Sequence, residues 1–376
     1  MWSPTISRLF QRFRSKALEL KNRVVMAPMT RSRAVDANTP NALMAEYYAQ
    51  RATAGLIVTE GTSPSPNGLG YARMPGLFND AQREGWNLVT DAIHRRGGKI
   101  MVQLMHTGRF AHLANLPPGA EVLAPSALTA PGDIHTDPLG KQPLSPPRTM
   151  TEKDIRHAIN EFAYSARLAV AAGFDGVELH GASGYLLEQF FNANANQRSE
   201  GYGGDPDRRN RFILDVARAV ADSIGADKLG IRFSPHAGAN GTASFPGMDE
   251  QLVTLVKQLS ALGLAYLHVV DYFAFGFPPV PAELMSLLRE SFGGTFIRAG
   301  GLDRSSAERE LTTERAELIA FGRAFIANPD LVERLRANAA LNTPDMATFY
   351  TSGAKGYTDY PRMILKPSLT SEERAA

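Results

Sequence analysis

Gly176-Val177-Glu178-Leu179-His180-Gly181-Ala182-Ser183-Gly184-Tyr185 is the stretch on which the reading of this chain turns. A short apolar run ends in His180. Ser183 follows three residues later and Tyr185 two after that. Three polar groups with different proton chemistry therefore share one strand end, a good place to hold a carbonyl and donate a proton. Runs of the same kind recur at 23–28, 56–60, 99–104, 229–234, 266–271, 295–300 and 317–322, which makes eight with 176–180. Helical patterns separate them, for example over 41–53, 81–96, 152–172, 207–224 and 250–262. Buried parallel strands read as continuous apolar runs, and alternation with helices implies right-handed crossovers. The pattern predicts the α/β class and a (β/α)8 TIM barrel, as one domain over residues 1–376.

Helix punctuation agrees. Thr151 before Glu152 and Asp154 reads as an N-cap with acids in the first turn, and Gly173 and Gly263 stand where helices should stop. The third βα connection is unusual. From Met105 to Met150 it carries eight prolines and little periodicity, so a cap or lid inserted at about 107–150 is expected over a site. The N-terminus, with Arg8, Arg12, Arg14 and Lys16 among Ile6, Leu9, Phe10 and Phe13, has two readings. One is a basic amphipathic targeting segment. The favoured one is an ordered lead-in, such as a hairpin under the core, because a strong strand begins at Arg23.

The 376 residues are 44% hydrophobic and 21% charged with net charge +2, which gives no general electrostatic case for nucleic acid or a membrane surface. No apolar run is long enough to span a bilayer. With no cysteine, disulfides, thiolate metal sites and cysteine nucleophiles are excluded, while the compartment stays open.

Barrel active sites gather at the C-terminal strand ends. Those ends carry Pro28-Met29-Thr30-Arg31, Glu60-Gly61, Gln103 with His106 and Arg109, the His180 loop, Arg232, Ala299-Gly300-Gly301 and Gly322-Arg323. Glycines on strands seven and eight beside Arg323 suit a phosphate, since backbone N–H groups approach an anion there and the guanidinium binds it bidentately. The plain alternative is that these glycines only make tight turns. Gln103 offers an amide donor and acceptor for a heterocycle edge, and Arg232 a fixed charge for an anionic ring. Alternatively both are satisfied interior polar residues, although a charge inside an apolar strand needs a partner. No His-x-His closes strand one and no His-Glu-x-x-His occurs, so no metal is expected. Strand six holds no lysine for a Schiff base, and no Gly-x-Gly-x-x-Gly follows a strand, so a nicotinamide must bind transiently at the same mouth.

Together these residues resemble the Old Yellow Enzyme family of flavin-dependent ene-reductases. The likeness runs from Leu18 to Arg362. It rests on Leu20-Lys21-Asn22-Arg23-Val24-Val25-Met26-Ala27-Pro28-Met29-Thr30-Arg31, Gly70-Tyr71-Ala72, Val102-Gln103-Leu104-Met105-His106-Thr107-Gly108-Arg109 and the His180 segment. Gly230-Ile231-Arg232, Phe321-Gly322-Arg323 and Gly356-Tyr357-Thr358-Asp359-Tyr360-Pro361 extend it. The resemblance implies bound FMN. Pro28, Met29, Thr30, Gly61, Gln103, His180 and Arg232 would lie around the flavin, and Ala299, Gly300, Gly301, Gly322 and Arg323 would hold its phosphate. Tyr71, Met105 and Tyr350, with His180 and Ser183, would line the substrate pocket. Thr30, where one subfamily has Cys, suggests the branch of the yeast and enterobacterial enzymes.

The implied activity is reduction of activated alkenes by NADPH or NADH through FMN. His180 and Ser183 polarise a carbonyl or nitro oxygen, and Tyr185 protonates the α-carbon. The chain departs from the family at Ser183, where Asn or His is usual. A hydroxyl reaches less far and can accept instead of donate, so weaker polarisation is expected, with His180 carrying most of it or a water extending Ser183. Alternatives are a flavin-bound isomerase without net reduction, a reductase of nitro compounds or nitrate esters, and a binding protein with a vestigial site. With the resemblance come a cytoplasmic location, small-molecule partners and a monomer or homodimer. The larger multidomain relatives with an iron–sulfur cluster are not expected, since cysteine is lacking and the chain ends soon after strand eight.

Overall fold

Strands covered on both faces must be apolar throughout, and the eight apolar runs meet that condition. In the computed structural model, which describes residues 7–364, they form β1 (Val24–Met26), β2 (Leu56–Thr62), β3 (Ile100–Leu104), β4 (Gly176–His180), β5 (Leu229–Phe233), β6 (Tyr266–Val270), β7 (Thr295–Ala299) and β8 (Leu318–Phe321). They pair in parallel and in chain order, and β8 returns to β1 with Ala320 opposite Val25, which closes the barrel. All strand residues are buried except Arg298, which reaches out to Glu310 on the surrounding layer. The expected fold class therefore holds.

Around the barrel lie α1 (Ala42–Gln50), α2 (Asp80–His94), α3 (Glu152–Ala171), α4 (Leu186–Phe191), α5 (Pro206–Ile224), α6 (Met248–Ala261), α7 (Ala282–Ser291), α8 (Arg304–Thr312), α9 (Arg323–Ala327) and α10 (Leu331–Ala337). Thr151 caps α3 in a reciprocal box with Asp154, as the sequence predicts. β2 runs past its expected end at Glu60, through a bulge between Val58 and Gly61. Within the bulge Thr59 replaces a ladder carbonyl, its hydroxyl accepting from the Gln103 N–H at 3.1 Å. Glu60 is turned to accept from the N–H groups of Arg31 and Ser32 at 3.0 and 3.2 Å.

The N-terminal lead-in is an antiparallel hairpin, Phe13–Arg14 with Glu19–Leu20. Phe13 and Leu20 are buried against Leu56, Met101, Tyr266 and Leu318, so the hairpin plugs the N-terminal end of the barrel. The part of the basic segment before Ser7 lies outside the described residues. The connection after β3 is not a bare loop. It holds a hairpin, Asp133–Thr136 with Gly140–Pro143, and a parallel pair, Leu123–Ala124 with Arg148–Thr149.

Two arginines after β1 tie down the chain beyond β8. Arg31, fully buried, donates to the carbonyls of Phe349 and Gly356 at 3.1 and 2.8 Å and to the Tyr47 hydroxyl. Arg33 donates to the carbonyls of Phe349, Thr348 and Lys355. Because truncating Arg31 strands several buried acceptors, Arg31→Met is expected to destabilise the protein by about 3 kcal/mol or more. The measurement is the shift of the urea midpoint at constant slope; a loss under about 1 kcal/mol would show that water replaces the guanidinium.

Candidate active site

A cavity of about 750 Å³ opens at the C-terminal ends of the strands, within the size range of small-molecule sites. Pro28, Met29, Thr30, Gly61, Tyr71, Gln103, Met105, His180, Ser183, Tyr185, Arg232, Ala299, Gly300, Gly301, Gly322, Arg323 and Tyr350 all line it. Phe110, Asp133, Ile134 and His135 of the post-β3 connection complete its wall. His106 and Arg109 do not line it. His106 Nδ1 accepts from the Gly108 N–H, and Arg109 donates to the Gly241 carbonyl, so both hold loops.

The loop after β4 is held tightly. Ser183 adopts the left-handed region (φ +59), which a non-glycine residue occupies only under constraint. The constraint is visible: its N–H donates to Ser234 Oγ at 2.8 Å and its carbonyl accepts from Asn240 Nδ2 at 2.8 Å. Next, the Gly184 N–H donates to the Glu188 carboxyl at 2.8 Å. Tyr185 immediately precedes α4, its ring edge-on to His180 with centroids 5.0 Å apart. Its hydroxyl lies 2.6 Å from that of Tyr71. The Ser183 hydroxyl lies 2.8 Å from that of Tyr272.

Burial, helped by the charge of Arg232 and by His268, holds His180 well below the ordinary imidazole range. The ring is therefore neutral at pH 7 and offers one N–H donor. Burial raises the Tyr185 phenol above its ordinary value, while the Tyr71 hydrogen bond works the other way by supporting the phenolate. Tyr185 accordingly stays protonated at neutral pH.

The rest of the cavity suits a phosphorylated heterocycle. Glu178, fully buried inside the barrel, accepts from Gln103 Nε2 at 2.7 Å and from His268 Nδ1 at 2.9 Å. A carboxylate only accepts, so it fixes which end of the amide faces it, leaving Gln103 Oε1 and one N–H for the cavity. Burial alone would raise the Glu178 carboxyl, but His268, Arg232 and Gln103 outweigh it and hold the group ionised. Arg232 is buried with its Nε unpaired. Gly300 (φ +116) and Gly301 (φ +64) bring backbone to the cavity; a Cβ on Gly300 would sit 2.0 Å from the Asp271 carbonyl oxygen. Beside them the Arg323 guanidinium lies 4.1 Å over the Phe275 ring. A paired donor and acceptor, a fixed cation and a glycine cradle beside an arginine fit a flavin nucleotide.

Sequence reasoning missed Glu178 and Tyr272. The first carried a signal, since alternation puts residues 178 and 180 of one strand on the same face. The second carried none, because its partner Ser183 is 89 residues away. Glu188 was also passed over: burial pushes its carboxyl up to about 7, against the Gly184 hydrogen bond. A raised carboxyl pKa means that the folded state binds the proton better, so this group's contribution to stability falls as pH rises from about 4.5 to 7. Glu188→Gln keeps the acceptor for Gly184 and should flatten that fall. Thermal melts across this range check it; an unchanged slope would assign the titration elsewhere.

The model of the NADH:flavin oxidoreductase / NADH oxidase family matches residues 8–342. Among curated relatives, 12-oxophytodienoate reductase 7 of Oryza sativa subsp. japonica is 39% identical, covering 94% of each chain. A probable flavin mononucleotide-dependent alkene reductase of Leishmania infantum is 38% identical over 92% of this chain and 94% of its own. Among solved structures, morphinone reductase superposes with TM-score 0.91 at 40% identity, covering 94% of this chain and 96% of that one. The old yellow enzyme homologue from Zymomonas mobilis gives 0.89 at 38%, covering 94% and 99%. With the barrel and the flavin-shaped site in place, the chain belongs to the NADH:flavin oxidoreductase / NADH oxidase family and is a flavin oxidoreductase of the Old Yellow Enzyme type.

Proposed function

We propose that this protein is an NADPH- or NADH-dependent ene-reductase that reduces C=C bonds conjugated to a carbonyl or nitro group. The observation that carries the reading is that His180, Ser183 and Tyr185 line one cavity together with Gln103, Arg232 and the glycine cradle. Gln103 and Arg232 would hold the pyrimidine edge of FMN, with Pro28, Met29, Thr30, Gly61 and His180 around its ring. Ala299, Gly300, Gly301, Gly322 and Arg323 would hold its phosphate. When bound, FMN supplies the hydride taken from the nicotinamide.

The chain's own groups do the rest. His180 donates its single N–H, and Ser183 its O–H, to the acceptor oxygen, where negative charge grows as the β-carbon is reduced. Donors already in place there lower the barrier without reorganising. Tyr185 passes its phenolic proton to the α-carbon, and the Tyr71 hydroxyl stabilises the phenolate left behind. The mouth is apolar, with Phe275, Met346 and Tyr350 43%, 68% and 61% exposed on the cavity wall, which suits bulky hydrophobic enones.

Tyr185→Phe separates the two half-reactions. Reduction of the bound flavin by NADPH should change by less than about threefold. Reoxidation by 2-cyclohexenone should slow by roughly 10²- to 10⁴-fold, the usual contribution of a general acid. Stopped-flow absorbance reads both halves; equal losses in the two, or none in the second, would remove Tyr185 from the proton-transfer role.

A further inference from the structure

Ser183 alone is a poor second donor, because a hydroxyl rotor can turn either its proton or its lone pairs to a ligand. The cavity adds a group that resolves this. Tyr272 lies just past β6, and its hydroxyl is 2.8 Å from Ser183 Oγ, with both residues lining the cavity. A phenol is the stronger acid of the two, so it is the better donor, and the aliphatic oxygen is the better acceptor. With Tyr272 donating, the Ser183 oxygen is engaged and its one proton is left to point elsewhere. The backbone of Ser183 cannot turn to compensate, since Ser234 and Asn240 hold its N–H and carbonyl.

The phenol is itself held in place. Its ring meets Phe275 edge-on at 5.4 Å, and Phe275 lies beneath the Arg323 guanidinium at 4.1 Å. The following turn is pinned by Asp271, which accepts from the Phe273 N–H at 2.9 Å. We infer that Tyr272 is a positioning residue: it donates to Ser183 Oγ and so orients the Ser183 hydroxyl to donate its own proton to the acceptor oxygen of the substrate. Hydrogen bonds in such a chain polarise one another, so the serine proton is also a stronger donor than in an isolated hydroxyl. The pair offsets part of the shortfall expected of serine in place of an amide or imidazole. This rests on the reading that His180 and Ser183 hold the substrate oxygen.

The test is a double-mutant cycle on the flavin-loaded protein, with 4-nitrophenol as an oxyanion probe followed through its phenolate band. Ser183→Ala and Tyr272→Phe should each weaken phenolate binding by roughly fivefold to tenfold, with no further loss when combined, since one hydrogen-bond chain is broken in every case. Ser183→Asn carries its own N–H donors and needs no partner. In that background Tyr272→Phe should cost less than about twofold, which a general packing defect would not allow. Equal losses from Tyr272→Phe beside serine and asparagine would overturn the inference, as would additive losses with Ser183→Ala or no phenolate binding by the unsubstituted chain. Failure of the ene-reductase reading shows separately, as an absence of alkene-dependent NADPH or NADH consumption by the unsubstituted chain.

Discussion

A polar side chain inside a closed parallel barrel has no water to pair with, so it must find its partner within the barrel or at its mouth. This constraint organises the molecule. Glu178 meets it by accepting from Gln103 and His268 at once, which ties β3, β4 and β6 together. The price of placing a carboxylate there is offset by the neighbouring charge of Arg232, which keeps it ionised. In return the Gln103 amide has one orientation, and the edge that it shows the cavity is fixed before any ligand arrives.

The same logic places the reactive groups. Barrel closure sets the ends of β7 and β8 beside the end of β1, so the glycine cradle and Arg323 lie next to Pro28, Met29 and Thr30. The loop after β4 then crosses the remaining opening. Its left-handed Ser183 is stabilised from the connection after β5 by both Ser234 and Asn240. The phenols of Tyr71, Tyr185 and Tyr272 form two short contacts, Tyr71 with Tyr185 at 2.6 Å and Tyr272 with Ser183 at 2.8 Å. Buried Arg31 and Arg33, after β1, hold the carbonyls of Thr348 and Phe349 next to Tyr350, so the last wall of the cavity also depends on the first strand.

Much of this was legible in the chain because its signals are local. Continuous apolar runs marked the eight strands, and caps such as Thr151 marked helix starts to within a residue or two. The glycines of β7 and β8 and the His180 loop marked the cavity, since strand-end residues of a barrel must converge. What escaped reading depends on contacts between distant positions. The β2 bulge extends that strand past Glu60 because Thr59 substitutes a hydroxyl for a ladder carbonyl. Arg31 sits at a strand end yet turns away from the cavity, toward carbonyls more than 300 residues further along. His106 and Arg109 likewise sit at a strand end but hold loops. Tyr272 meets Ser183 only because the barrel sets β6 one strand away from β4.

In the proposed reaction, net reduction ends in protonation of the α-carbon by an exchangeable proton, the one that Tyr185 carries. This is tested most directly by reducing 2-cyclohexenone with NADPH in D2O and locating the deuterium in the product by NMR. One NADPH consumed per alkene and deuterium at the α-carbon are the expected results. Alkene isomerised with no NADPH consumed, or a reduced product without deuterium at that carbon, would contradict it.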